Sequence, residues 1–402
     1  MERKTGAQLN VQALRDDMPF LNDVTYLNSA SCSPTPRPVI DAMTDYYRHT
    51  PINYRSGATP AERQVTERVD KIRARVAAFI GAASPLEVVF TKNTTEAINT
   101  VARGISWKPG DEVILSPLEH QSNLLPWLAL RSIGVVPRFL TPNPDGIIAP
   151  ESLEAALTGR TRLVTVHHVS NVLGCAQDIS AIAKVAHAHG VPLMVDAAQS
   201  EGRVSVDVDA MGCDYLVSCA RKGLMGPQGI GFLWARKELL ESLEPLTIGS
   251  QSAEVIDFDS YVVADVPFRH EAGIMNTAGI VGFGRAIEYV TEIGVDAIGA
   301  HSRLLAEHLR EGLARFPSIT LHGPRSASQQ TGIVSWSSRD RDPQALAAEL
   351  YESGRILAAA GTCGSPLAAK FLGVPGVVRT SLHGFNTHGE VERLLELLHA
   401  SR

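Results

Sequence analysis

The stretch Ser218 to Ala235, SCARKGLMGPQGIGFLWA, places Lys222 just past the apolar run DYLVS. A lysine there either snorkels, with its stem on the core and its ammonium in water, or acts as a reagent whose amine is kept near neutrality by its surroundings. Other short stretches carry residue types that match the second role. VVFTKNTTEAINTVARG sets Asn93, Thr94, Thr95 and Glu96 between a strand-like run and a helical one. Asn93 with Glu96 three residues later has the form of a capping box, while free amides and two hydroxyls at a helix start also suit a phosphate. VPLMVDAAQS ends an apolar run on Asp196, with Gln199 three residues on. That carboxylate either caps the following helix or holds a proton on a heteroaromatic nitrogen, the pairing that an electron-sink cofactor requires. SPLEHQSNLLPW offers His120, an imidazole able to stack on a flat ring or move protons, and HHVSNVLG offers Asn171 in a comparable place. For these two the alternatives are a structural loop histidine and a turn or cap.

The elements that must position these residues are legible as a pattern. The runs EVVFT, EVILS, RLVTVHH, VPLMVDAA, DYLVSCA and GIGFLWA alternate with helical stretches such as NTTEAINTVARGI and DISAIAKVAHAHG. Such alternation reads as an α/β domain with a largely parallel sheet, whose strands, covered on both faces, are continuously apolar. Ligands of these sheets lie beyond the carboxyl ends of the strands, where all of the candidate residues fall. From about residue 260 the pattern changes to one long periodic helical segment, TAGIVGFGRAIEYVTEIGVDAIGAHSRLLAEHLREGLARF, then the short pieces GIVSWS and VVRTSL and a closing helix, EVERLLELLHA. A smaller α+β domain is expected there.

Composition bounds the remaining possibilities. The 402 residues are 44% hydrophobic and 20% charged, which suits a soluble globular chain of two domains. A net charge of -6 provides no basic footprint for nucleic acid. The start MERKTGAQLNVQALRDD lacks the apolar segment of a signal peptide, and no run approaches the roughly 18 apolar residues of a membrane helix, so a cytoplasmic protein without a membrane partner is expected. Five cysteines without CxxC spacing argue against a disulfide framework and against a zinc site, so no metal is expected. A nicotinamide dehydrogenase is disfavoured because no GxGxxG follows the first strand.

Taken in order, YLNSASCS, FTKNTTEAINTVA, GDEVILSPLEHQSNLLPW, HVSNVLG, VDAAQS, RKGLMGPQGIG, EAGIMNTAGI and VVRTSLHGFNTHGEV resemble the class V aminotransferase family of pyridoxal-phosphate enzymes, in its cysteine desulfurase and selenocysteine lyase branch. The resemblance implies fold type I: a large domain around a mainly parallel seven-stranded sheet over residues 21–260, a smaller α+β domain over 261–402, and an N-terminal segment, 1–20, packed on the latter. It implies pyridoxal 5'-phosphate as cofactor and a homodimer with the site at its interface. Lys222 would form the internal aldimine, Asp196 would pair with the pyridinium nitrogen, Gln199 would bond the ring oxygen and His120 would stack on the ring. Thr94 and Thr95 would hold the phosphate, with Arg221 within reach of it, and Asn171 would sit near the ring. Arg379 would bind the substrate carboxylate, beside Ala30 and Asn171. Desolvation next to Arg221 would lower the Lys222 pKa.

The departures from that pattern bear on the reaction. Arg221 and Cys219 stand where the branch has a histidine and a serine, with Ser218 adjacent to supply a hydroxyl. Ile274 replaces a threonine that reaches the neighbouring subunit's phosphate, leaving Thr277 to take over that contact or not. ILAAAGTCGSPLAAKF keeps Cys363, the nucleophile of desulfurases, but has Ala358 where they carry an arginine. A thiol on a Gly-flanked loop attacks the substrate's sulfur if its pKa is lowered, or merely packs if buried. Expected is cleavage of the C–S bond of L-cysteine or a cysteine derivative, with Cys363 passing sulfur to an acceptor protein. The alternatives are β-elimination from a bulkier S-conjugate without a persulfide, and epimerisation of an amino acid.

Overall fold

A computed structural model of the chain describes residues 9–55 and 57–400. Seven strands form its central sheet: β1 (Val88–Thr91), β2 (Glu112–Leu115), β3 (Val136–Phe139), β4 (Thr161–His167), β5 (Leu193–Asp196), β6 (Tyr215–Cys219) and β7 (Gly231–Ala235). Their spatial order is β1-β7-β6-β5-β4-β2-β3. Neighbours from β6 to β3 run parallel, and β7 lies antiparallel between β6 and β1. Alternate residues enter opposite cores, with Phe90, Ile114, Val164, Val195, Leu216 and Phe232 on one face. Val89, Val113, Leu163, Met194, Val217 and Leu233 occupy the other. Burial on both sides is why these strands read as unbroken apolar runs. β3 escapes that pattern because it is an edge strand containing Pro137, which edge strands tolerate, and its Val136 and Phe139 are exposed.

The long helical segment is two helices, Thr277–Ile293 and Val295–Leu313, parted at Gly294, whose φ of 98° lies in the left-handed region. Ile280, Phe283, Ile287 and Val290 of the first belong to the core of the large sheet. Leu305, Leu309 and Leu313 of the second pack instead with Trp336, Val378, Val391, Leu394 and Leu398. That second core lies against an antiparallel sheet of β8 (Ile319–His322), β9 (Ile333–Ser338), β10 (Ala359–Gly361) and β11 (Val377–Ser381), ordered β8-β9-β11-β10. On this packing we propose that the larger unit passes into the smaller near Gly294, beyond the expected boundary at 260. Of the N-terminal segment, residues 1–8 lie outside the described residues. Its helix Val11–Asp16 is tied to the C-terminal region by Arg15, which donates to the Phe385 carbonyl at 3.0 Å and to Glu390 at 2.9 Å.

Two connections matter for the site. Thr25–Tyr26 pairs with Ile356–Leu357, and Asn28 bridges to Ser381, so the chain after residue 25 is laid along the smaller unit and Ala30 and Ser31 come beside β11. Glu271, from the EAG motif, is buried and clasps Arg73 at 2.7 and 2.9 Å while accepting the Phe90 amide at 2.7 Å. The motif is thereby fastened to β1. No helix among the described residues is long and apolar enough to cross a membrane.

Candidate active site

The lysine turn follows β6 directly. Gly226 donates to the Ala220 carbonyl at 2.8 Å and Met225 to that of Lys222 at 3.0 Å, curling the chain around Lys222. Gly223 has to be glycine because a Cβ there would overlap the Glu201 carbonyl oxygen and lie 3.2 Å from Arg203 Cγ. Lys222 is half-buried. Burial holds its ammonium below the usual lysine range; Cys219 and Asp196 oppose this, and the positive charges of Arg221 and Arg379 add to it. The awkward position of this amine is therefore the one a nucleophile needs.

Asp196 ends β5 and is buried, its Oδ1 accepting the Ala198 amide at 2.9 Å. Burial raises its pKa and the nearby Lys222 charge counteracts that rise. Its partner across the sheet, His167, bonds through Nδ1 to Glu119 at 2.7 Å. Burial alone would lower the His167 pKa, yet the Glu119 carboxylate overrides it and the imidazole is pushed up to about 10. Glu119 also accepts from the His167 amide and Asn123, whose own oxygen takes Trp127 Nε1 and Thr165 Oγ1. This charged, fully bonded layer beneath the site was not anticipated from the sequence, although the adjacent pair Glu119–His120 and the doublet His167–His168 stood in the quoted stretches.

His120 follows β2 and accepts the Ser122 amide at Nδ1, 3.1 Å, so its proton resides on Nε2. Burial, with the charges of Lys222, Arg379 and Arg221, lowers its pKa to about 4 and keeps it neutral. Thr94 and Thr95 open the helix Thr94–Gly104. Asn93 caps it by accepting the Glu96 amide at 2.9 Å, but Glu96 returns to the Lys92 amide, not to Asn93, so the expected capping box is half formed. Thr95 is exposed and donates to Ser122 Oγ at 2.8 Å, joining the helix start to the His120 loop. Among the described residues, the buried Thr94 hydroxyl and that of Ser218, which lies beside the buried Glu201 carboxyl, have no hydrogen-bond partner.

Gln199 donates to the Ala30 carbonyl at 2.8 Å and accepts from Arg203 at 2.9 Å. One of its two amide hydrogens is left for a ligand. Arg203 is buried with no ion pair among the described residues and reaches Ser29 Oγ at 2.7 Å. Arg379 on β11 is buried, donating to the Asn171 carbonyl at 3.0 Å, Asn28 Oδ1 at 3.1 Å and Ser31 Oγ at 2.6 Å. It makes no ion pair among the described residues, and its Nε is unpartnered. Arg221 donates to the Ser31 carbonyl, which fixes the same loop.

Cys363 is brought to this cluster by its loop. Asn171 Nδ2 donates to the Cys363 carbonyl at 2.9 Å and Asn171 Oδ1 accepts from Ser365 Oγ at 3.0 Å. The Gln121 amide donates to the Gly364 carbonyl at 2.7 Å. Cys363 itself is left-handed, φ 51°, a strained state for a residue with a side chain that the surrounding bonds maintain. Burial raises its thiol pKa while Arg379 draws it down. Thr277 stands apart: it is buried with its hydroxyl toward the Met275 carbonyl at 3.4 Å and bonds none of the other site residues among those described. Ala358 is half-buried between β10 and the pair Ile356–Leu357, and Ile274 is 74% exposed.

The residues fit a flat heteroaromatic phosphate. One buried and one exposed hydroxyl with first-turn amides at a helix start suit the anion, a neutral imidazole and a spare amide hydrogen suit the ring, and a buried carboxylate lies within electrostatic reach of the lysine. A mainly parallel sheet with such a lysine past a strand end is the fold of a type I pyridoxal-phosphate enzyme. The family described as aminotransferase class-V matches residues 25–394. A probable cysteine desulfurase of Methanothermobacter thermautotrophicus is 39% identical, covering 97% of this chain and 98% of its own. A cysteine desulfurase of Salmonella typhimurium is 36% identical, covering 96% of each. Among solved structures, the apo cysteine desulfurase of Thermococcus onnurineus NA1 superposes with a TM-score of 0.94 at 34% identity, with 98% of each chain covered. The cysteine desulfurase CsdA of Escherichia coli does so with 0.91 at 28%, over 98% of this chain and 99% of its own. The chain belongs to the class V aminotransferase family.

Proposed function

We propose that this protein is a pyridoxal-phosphate-dependent cysteine desulfurase that moves the sulfur of L-cysteine onto Cys363. The observation that carries the proposal is the fastening of the Cys363 loop to Asn171 and to the His120 loop, which turns this thiol's peptide toward the same cluster as Lys222 and Arg379. The 36–39% identical relatives named as desulfurases support it. When bound, the cofactor supplies an electron sink at the carbon bearing the substrate amine.

The protein groups have separable tasks. Lys222, Asp196, Gln199, Thr94, Thr95, Ser218 and His120 hold the cofactor, and Arg221 positions the Ser31 loop with one guanidinium nitrogen, leaving the rest of its fork for the phosphate. Arg379, lacking a carboxylate of its own, takes the substrate carboxylate, with Ala30 and Asn171 framing that side. The Lys222 amine, once neutral, removes and returns the proton at Cα. Cys363 Sγ attacks the substrate sulfur as the Cβ–S bond breaks. The electron pair of that bond stays on Cβ, which takes up the proton that the Cys363 thiol gives up, so L-cysteine and the Cys363 thiol become L-alanine and a Cys363 persulfide.

Two further features belong to this reading. A homodimer is supported by the hairpin Ala253–Val263, which exposes Val255, Ile256, Phe258, Tyr261 and Val262; a second copy would cover it. The persulfide is then passed to an acceptor protein in the cytoplasm. Cys363→Ser with L-cysteine tests the proposal: alanine and sulfide production should vanish while cofactor absorbance is kept. Undiminished turnover, with pyruvate and ammonia as products, would replace it by a β-eliminating C–S lyase.

A further inference from the structure

The two helices of the smaller core present a cluster that the reaction does not use. Helix Val295–Leu313 and helix His388–Ala400 pack through Leu305, Leu309 and Leu313 against Val391, Leu394 and Leu398. At the margin of that seam stand His308 from the first helix and His388 and Glu392 from the second. His388 and Glu392 are four residues apart and so share one helix face. His308 Nε2 forms a close ion-pair contact with Glu392 Oε1, and His388 Nε2 lies 4.0 Å from the same oxygen. The two imidazole rings are 4.1 Å apart at their centroids and inclined by 30°. One ligand atom from each of the three residues falls within 4.8 Å of the other two.

We propose that His308, His388 and Glu392 form a binding site for a divalent first-row transition cation, typified by zinc, that ties the C-terminal helix to helix Val295–Leu313. A cation takes both neutral ring lone pairs and the carboxylate together. Imidazole with one carboxylate selects zinc, copper or nickel over calcium and magnesium, which need more oxygen ligands. Bonds of about 2.0–2.1 Å around a tetrahedral zinc place ligand atoms roughly 3.3 Å apart. Rotating His388, whose side chain is 62% exposed, brings its ring nitrogen in toward that value, while His308 and Glu392, now in closer contact, part to it.

The scaffold is otherwise fixed. His301 bonds the Asn386 carbonyl at 2.8 Å, and Asn386 and Thr387 hold Glu390, which also pairs with Arg15. Glu390 is therefore committed elsewhere, leaving three protein ligands and an open position for water. The cysteine pattern that argued against a zinc site is silent about histidines brought together from two distant helices.

The test is a titration of the chelator-washed holoenzyme with ZnCl2 by calorimetry, in the wild type and in H388A and E392Q, followed by Cu2+ electron paramagnetic resonance. Because free thiols also take zinc, the informative quantity is the difference between variants. The wild type should show one equivalent that each variant weakens by at least about tenfold. Nitrogen couplings from two imidazoles in the wild type should fall to one in H388A. Circular dichroism should show both variants folded, as their exposed side chains lead one to expect. Unchanged stoichiometry and affinity in H388A and E392Q, or copper spectra without imidazole couplings, would overturn the proposal.

Discussion

Gly364→Ala probes how the reactive thiol is placed. Gly364 has φ 76°, and a Cβ added there would lie 2.8 Å from His120 Cδ2 and closer still to Nε2. Two costs follow: the left-handed backbone is unfavourable for alanine by about 1–2 kcal/mol, and the methyl group pushes the loop or His120 aside. Gly373 separates them, since it has φ 67° with nothing within 4 Å of its would-be Cβ. Gly373→Ala should therefore lose about 1–2 kcal/mol of stability and keep its activity. Gly364→Ala should lose at least as much stability and, with Cys363 and His120 displaced by a fraction of an ångström or more, roughly 10–100-fold in alanine formation from L-cysteine. The assay is single-turnover alanine release beside urea denaturation, with cofactor content checked by absorbance. Equal activities for the two variants would refute the seating of the Cys363 loop on His120.

Other consequences are separable. Glu271→Ala strands Arg73, whose ion pair is 2% and 1% exposed, and should cost about 3–5 kcal/mol in chemical denaturation; a loss below about 1 kcal/mol would contradict the clasp. Arg379→Lys keeps a charge but loses the fork to Asn171, Asn28 and Ser31, and should raise the KM for L-cysteine about 10–100-fold with a smaller change in kcat. His120, ordinarily near 6.5, is held near 4 by burial and by neighbouring cations, so the folded chain binds fewer protons than the unfolded chain between those values. Its contribution to stability is present above pH 6.5 and fades as pH falls toward 4, and His120→Gln should flatten that part of the stability profile. An unaltered profile would show that His120 is not buried among those charges.

Much of the site was legible because α/β sheets place ligands at strand ends, and Asn93, His120, Asn171, Asp196 and Lys222 each follow an apolar run that the structure makes a strand. The edge strand Val136–Phe139 was not, since Pro137 and a half-exposed face carry no strand pattern. The division of the helical segment at Gly294 was also hidden, because apolar periodicity continues across the break while the buried faces turn to different cores. Networks formed across long separations, Glu119 with His167, Arg203 with Ser29, and Asn171 with Cys363, have no local signal at all. The same holds for His308 with His388 and Glu392. The bond from Arg221 to the Ser31 carbonyl likewise joins residues far apart in the chain.

The most direct measurement is the mass of the peptide bearing Cys363 after one turnover with L-cysteine in the absence of any acceptor or reductant. One added sulfur atom on Cys363, with one alanine released per active site, is the result required. An unmodified Cys363 together with stoichiometric pyruvate would contradict it.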